Sequence, residues 1–279
     1  MDEGNTVTAS ALFLTASLFN LRVAPTLYRR YADLLFVRAA RDIAKGSEIL
    51  ISYVQDLHMG YGPRPLERHM GPQSCLCELC QGDRELGPSK LRARHDLNHL
   101  EGVLAEECDA ELRKKGTLGR EDRNRYNRQF RDFLLKHEKI YPITATFRPF
   151  LLYSNRYIAS LLGAQDDPSQ LLVSVNHAIA VLVCIVFKPT DTSPVTIKDV
   201  ASAMMIDFSQ SHLHYAYNIA PPAFHSIVRS LEKLRLPKRK ESWLRTFKKM
   251  EEILSGGGDA FFEAQHKKQL ESKIAVYYH

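Results

Sequence analysis

Cys75-Leu-Cys-Glu-Leu-Cys-Gln-Gly-Asp-Arg-Glu-Leu-Gly-Pro-Ser89 marks the point where this chain changes character. Upstream lie short runs of branched and aromatic residues, Leu34-Leu-Phe-Val-Arg38 and Glu48-Ile-Leu-Ile-Ser-Tyr53, which read as strands. Asp42-Ile-Ala-Lys-Gly46 lies between them, and its Lys-Gly is a tight-turn signal. The two strands therefore read as a hairpin-like unit. Gly60-Tyr-Gly-Pro63, Pro65 and Gly71-Pro72 then break any regular pattern.

Downstream the apolar spacing becomes helical. Ser89 can cap a helix that runs to Lys115, with Leu91, Leu97, Leu100 and Leu104 on one side and Gly116 closing it. A second helix is expected over 120–139, stopped by Pro142. Further helices are expected near 146–163, 168–187, 196–210, 222–235, 240–254 and 259–275, with Gly256-Gly-Gly258 as the break between the last two. Paired helices at this density also fit a degenerate helical-repeat array. The expected fold class is α+β: a small β-rich unit over 1–86, then a larger all-α domain over 87–279.

The chain has 279 residues, 44% hydrophobic and 25% charged, which is globular composition with enough length for a core. The formal charge of +6 favours acidic partners without marking a nucleic-acid binder. The opening Met1-Asp-Glu-Gly-Asn5 lacks the basic-then-apolar pattern of a signal peptide. The longest apolar run, Ala178 to Phe187, is too short to span a bilayer. A cytoplasmic or nuclear location and the absence of membrane contact are therefore expected. Three of the five cysteines are clustered, so they read as intracellular thiols with a metal knot and not as a disulfide framework.

That knot, Cys75, Cys77 and Cys80, offers three thiolates to one zinc ion; tetrahedral zinc takes four ligands. His69 or His95 are the candidates for the fourth. Cys184, inside Val181-Leu-Val-Cys-Ile-Val-Phe187, reads as a core residue. His95 and His99 lie one helical turn apart without the glutamate of an H-E-x-x-H motif, so they read as an exposed pair, and His212 and His214 as ordinary residues. A basic run holds Arg229, Lys233, Arg235, Lys238, Arg239, Lys240, Arg245, Lys248 and Lys249 against Glu232 and Glu241. It is either a solvated helix face or a docking surface for an acidic partner.

Leu35-Phe-Val-Arg-Ala-Ala-Arg-Asp-Ile-Ala-Lys-Gly-Ser-Glu-Ile-Leu-Ile-Ser-Tyr53, then Arg64, Leu66 and the cysteine knot, resembles the end of a SET domain with its post-SET zinc knot. The subclass resembled carries helical, tetratricopeptide-like regions, and the resemblance covers roughly residues 9–82. It implies transfer of methyl groups from S-adenosylmethionine to protein lysines, with zinc as the structural metal. It also implies that Tyr53 is the catalytic tyrosine, orienting the substrate amine against the methyl donor.

Phe19-Asn-Leu-Arg-Val-Ala-Pro-Thr26 sits where the family carries Asn-His-Ser-Cys-x-Pro-Asn. Asn20 matches, and the resemblance places it at the cofactor; Pro25 also matches. Leu21, Arg22, Val23 and Thr26 replace the histidine, serine, cysteine and final asparagine. Valine at 23 removes the family's fourth zinc ligand. The cofactor-binding first half of the domain is also expected to be missing, since Gly60-Tyr-Gly62 follows Tyr53 and cannot be its glycine loop. The expectation is thus a SET-family chain without methyltransferase activity. Its alternative is a non-catalytic helical scaffold that binds proteins. The partner is a protein in either case, with no direct contact to nucleic acid.

Overall fold

The computed structural model describes residues 20–21, 26–31, 34–39, 44–47, 50–51, 85–140, 149–185 and 220–271. These residues make a mostly helical protein, and the expected α+β class with a β-rich N-terminal unit does not hold. The described extended pieces are few and short: β1 (Asn20–Leu21), β2 (Thr26–Tyr31), β3 (Leu34–Ala39) and β4 (Leu50–Ile51). They pair as two separate two-stranded ladders, β2 with β3 antiparallel and β1 with β4 parallel. Two-stranded ladders are marginal on their own and do not make a β layer.

The pairing also corrects the expected hairpin. β3 takes β2 as its partner, with Tyr31 opposite Leu34 and Thr26 opposite Ala39. Only two residues separate those strands in sequence, the commonest hairpin loop length. The Lys45-Gly46 turn is present, with Gly46 at φ 86 and Ser47 N–H donating to Ala44 O at 3.0 Å. Among the described residues β4 pairs with β1 and not with β3.

Seven α-helices follow among the described residues: α1 (Pro88–Lys115), α2 (Arg120–Ile140), α3 (Leu152–Gly163), α4 (Pro168–Ile185), α5 (Ala220–Lys233), α6 (Pro237–Ser255) and α7 (Asp259–Glu271). A 3₁₀ turn, Pro149–Leu151, leads into α3. The expected helix over 196–210 lies outside the described residues. Helix α1 begins one residue before the expected cap: Gly87 takes φ 80 and Pro88 fills the first helical position, where its fixed φ suits a helix and its missing N–H costs nothing. Its last turn carries Arg113, Lys114 and Lys115 against the negative end of the helix dipole. Gly116, at φ 70, stops it with a hydrogen bond to Leu112 O at 2.8 Å.

Consecutive helices pack against one another, and α3 also reaches α5. Cys108, Phe130, Ile158 and Leu161 join α1, α2 and α3 in one core, with Phe130 stacked on Tyr157 at 4.4 Å between ring centroids. Leu171, Ala178, Leu182, Phe224, Ile227 and Leu231 continue it through α4 and α5. At one point α3, α4 and α5 meet with almost no side chain between them. A Cβ added to Gly163 would lie 3.0 Å from Ser174 Oγ and 3.5 Å from Ser230 Oγ. The Ser174 hydroxyl turns inward to Ala159 O at 2.7 Å, which satisfies it without water.

The C-terminal helices close around aromatic rings. Phe247 stacks on Phe224 at 4.9 Å and meets Phe262 edge-on at 4.9 Å, while Trp243 tilts against Phe224 at 5.9 Å. Gly256, at φ 74, ends α6, and Gly256-Gly-Gly258 separates it from α7, as the sequence implies.

Candidate functional site

On α1 the inward positions are Arg94, Glu101, Leu104, Ala105 and Cys108, and Leu100 faces solvent. Two charged residues thus occupy core positions, where burial is tolerated only with partners. Arg94 lies over the Phe150 ring at 4.3 Å. Glu101 meets α2 and α3 together. Its Oε2 accepts from His137 Nε2–H at 3.1 Å, and its Oε1 accepts from the Ser154 hydroxyl. All three side chains are buried. His137 Nδ1 has no hydrogen-bond partner among the described residues.

The order of this Ser–Glu–His cluster decides its chemistry. A serine nucleophile needs an adjacent base to take its proton and an open approach for the substrate. Here the serine proton points at the carboxylate, the imidazole stands on the far side of that carboxylate, and none of the three reaches solvent. The cluster acts as a polar clamp that ties three helices at one depth, where each donor needs its own acceptor.

A second polar cluster lies farther along the α1–α2 seam and is open to solvent. Glu111 accepts from Lys115 at 2.6 Å, Arg125 at 2.8 Å and the Tyr126 hydroxyl at 2.7 Å. The Lys115 and Tyr126 hydrogen bonds hold its carboxyl down to about 2. Burial, then the Glu111 hydrogen bond, pushes the Tyr126 phenol up to about 12. Burial, reinforced by Asp109 and Glu111, pushes the Cys108 thiol up to about 12, which suppresses the thiolate needed for redox or nucleophilic chemistry. Tyr157 donates to Asp109 at 2.8 Å, and burial followed by that carboxylate raises its phenol.

A third cluster joins α5, α6 and α7. The His225 and His266 rings lie 5.2 Å apart, His266 Nε2 is 3.5 Å from the buried Glu251 Oε1, and Phe247 packs on both rings. Burial, then His266, then Arg229 drives His225 down to about 3. His177 Nδ1 lies 2.8 Å from Asn155 Oδ1, and burial, then Arg131, drives it down to about 4.

Of the residues singled out from sequence, Tyr53, Cys75, Cys77, Cys80, His69, His212 and His214 lie outside the described residues. Asn20 is placed by its backbone, and its register partner in β1–β4 is Leu50, three residues before Tyr53. Cys184 falls within α4, and its side chain lies outside the described set. His95 Nδ1 is 3.7 Å from Asp96 Oδ1 on the same helix. Among the described residues no three His, Cys, Asp or Glu side chains are placed to hold a metal ion. None of the helices among these residues is long and apolar enough to cross a membrane.

Sequence reading did not find the Glu101–His137–Ser154 clamp, although one signal was present. Glu101 stands four residues after Leu97 and three before Leu104, inside an apolar row where a charge requires a partner. Compared with known proteins, the chain matches no family model, no curated protein and no solved structure.

Proposed function

We propose that this chain is a non-catalytic helical scaffold that binds other proteins. The supporting observation is a run of helices, each packed on its neighbour in the chain, that leaves large apolar side chains on the outside of α1 and α2. Leu100 and Leu135 are each 55% exposed, and Val103 is 42% exposed. The Glu101–His137 and Glu111–Tyr126 contacts set an antiparallel register that puts Leu135 level with Val103. Large apolar side chains left on the outer faces of neighbouring helices are a mark of a protein-binding surface. The replacements Leu21, Arg22 and Val23 are in keeping with a scaffold, because they remove polar and metal-binding groups of the SET pattern.

The test is affinity capture with the full chain and with a Leu100→Glu/Leu135→Glu variant whose helicity is verified. Partners captured by the first and lost by the second are the expected result. Equal capture by both, or a chain that stays monomeric and captures nothing specific, removes this reading.

One observation favours a second reading, S-adenosylmethionine-dependent methylation of protein lysines with a zinc knot at Cys75, Cys77 and Cys80. The β1–β4 ladder sets Asn20, the candidate cofactor position, opposite Leu50, three residues before Tyr53 in sequence. Titration calorimetry with S-adenosylmethionine, with bound zinc measured on the same sample, decides it. Cofactor binding with about one zinc per chain would support methyl transfer. No heat of binding, with no zinc, would rule it out.

A further inference from the structure

The basic run is divided by the fold into two sets of cations. Lys233 Nζ donates to Gly163 O and Gln165 O at 3.2 Å and pairs with Asp166 at 3.0 Å, so it caps the last carbonyl of α3 and one just past its end. Lys240 pairs with Glu232 at 2.7 Å, and Lys248 with Asp259 at 3.0 Å and Glu263 at 3.6 Å. These three are used inside the fold. Lys238, Arg239, Arg245 and Lys249 are exposed, and none of them makes an ion pair among the described residues.

Helical geometry aligns the second set. Seven residues make about two turns and eleven about three, so Lys238, Arg245 and Lys249 share one stripe about 16 Å long. It lies opposite the face that buries Trp243, Phe247 and Met250. Arg239 flanks it. Arg235 stands at its head with φ 54, in the left-handed region that disfavours an L side chain. It closes α5 by a Schellman motif, with Leu236 N–H on Leu231 O at 3.0 Å and Arg235 N–H on Glu232 O at 2.9 Å, a place where glycine is usual. Arginine there adds a fifth exposed cation next to the stripe.

We propose that this stripe of α6 is the docking surface for an acidic protein segment, an extended stretch of about five residues by length; the proposal rests on the scaffold reading and names its partner. Charge complementarity selects the class. Exposed Glu232, Glu241 and Glu252 interrupt the positive field, which suits separate carboxylates more than a continuous row of phosphates. The aromatic rings of α6, Trp243 and Phe247, are buried, so the stripe offers no platform for stacking bases. Among the described side chains it presents no large apolar group to insert into a lipid surface.

The experiment titrates the full chain with a labelled oligoglutamate peptide, at low and high salt, beside random-sequence duplex DNA and phosphatidylserine–phosphatidylcholine vesicles. The Lys238→Glu/Arg245→Glu/Lys249→Glu variant is measured alongside Lys238→Gln/Arg245→Gln/Lys249→Gln, which keeps the helix if charge reversal disturbs it. Saturable, salt-sensitive peptide binding that weakens at least about tenfold in the variants is expected. Absent binding, or binding unchanged in both variants, overturns the proposal. Tighter binding to DNA or vesicles than to peptide overturns the choice of partner. Loss of the α1–α2 partners in the Leu100→Glu/Leu135→Glu variant, with peptide binding absent, leaves the scaffold reading standing and removes this one alone.

Discussion

Glu101→Ala lowers the unfolding free energy by about 3–5 kcal/mol, a loss read from the midpoint of urea denaturation. The carboxylate is the shared acceptor for His137 Nε2–H and the Ser154 hydroxyl. Alanine removes both acceptors at once and leaves two buried donors without water. Each orphaned donor costs about 1–3 kcal/mol, and the lost side-chain volume adds to that. The triple replacement Glu101→Leu/His137→Leu/Ser154→Ala is expected to cost less than the single one, because it leaves no polar group stranded. A Glu101→Ala loss below about 1 kcal/mol would show that the clamp contributes little.

Acid is expected to weaken the fold well above the usual carboxylate range. His225 titrates at about 3 in the folded chain and near 6.5 when unfolded, so the unfolded state takes up the proton first. Stability from this residue is complete above pH 6.5 and is lost as the pH falls toward 3. At about 1.4 kcal/mol per unit, the full loss is on the order of 5 kcal/mol. His177, at about 4, adds a smaller decline over the same window. The groups that set His225 are the aromatic cluster burying it, His266 on α7 and Arg229 on its own helix. Urea midpoints measured between pH 7.5 and 4.5 should fall steadily, and His225→Phe should flatten that fall. Equal slopes for both chains would refute the assignment.

The helical half was legible because its signals are local. Gly116, Pro142 and Gly256-Gly-Gly258 punctuate the chain, and α1, α2 and α4 through α7 begin and end within a few residues of expectation. Helix interiors were harder to read. Leu91, Leu97, Leu100 and Leu104 suggested one buried row, yet Leu100 points outward while Arg94 and Glu101 point in. Tertiary partners overrode hydropathy there: His137 is 36 residues away and Ser154 is 53 away, and no local pattern encodes such a pairing. The strand partners were misread for a related reason. Register depends on which strands meet, and the run at 34–39 had two candidates. Of the candidate methyl-transfer and zinc residues, only the backbone of Asn20 and His95, on α1, are placed.

The contact of Gly163 with Ser174 and Ser230 acts as a stiff joint. Helices that touch through so little side chain have no soft layer to shear, so α3, α4 and α5 move as one block. Gly256-Gly-Gly258 brings no side chain to the α6–α7 joint, so that joint is held by ring contacts and the Lys248 pairs. A pull applied to the outer stripe of α6 would be passed through α5 and the Lys233 bonds to the end of α3, and on the other side to α7 through those pairs.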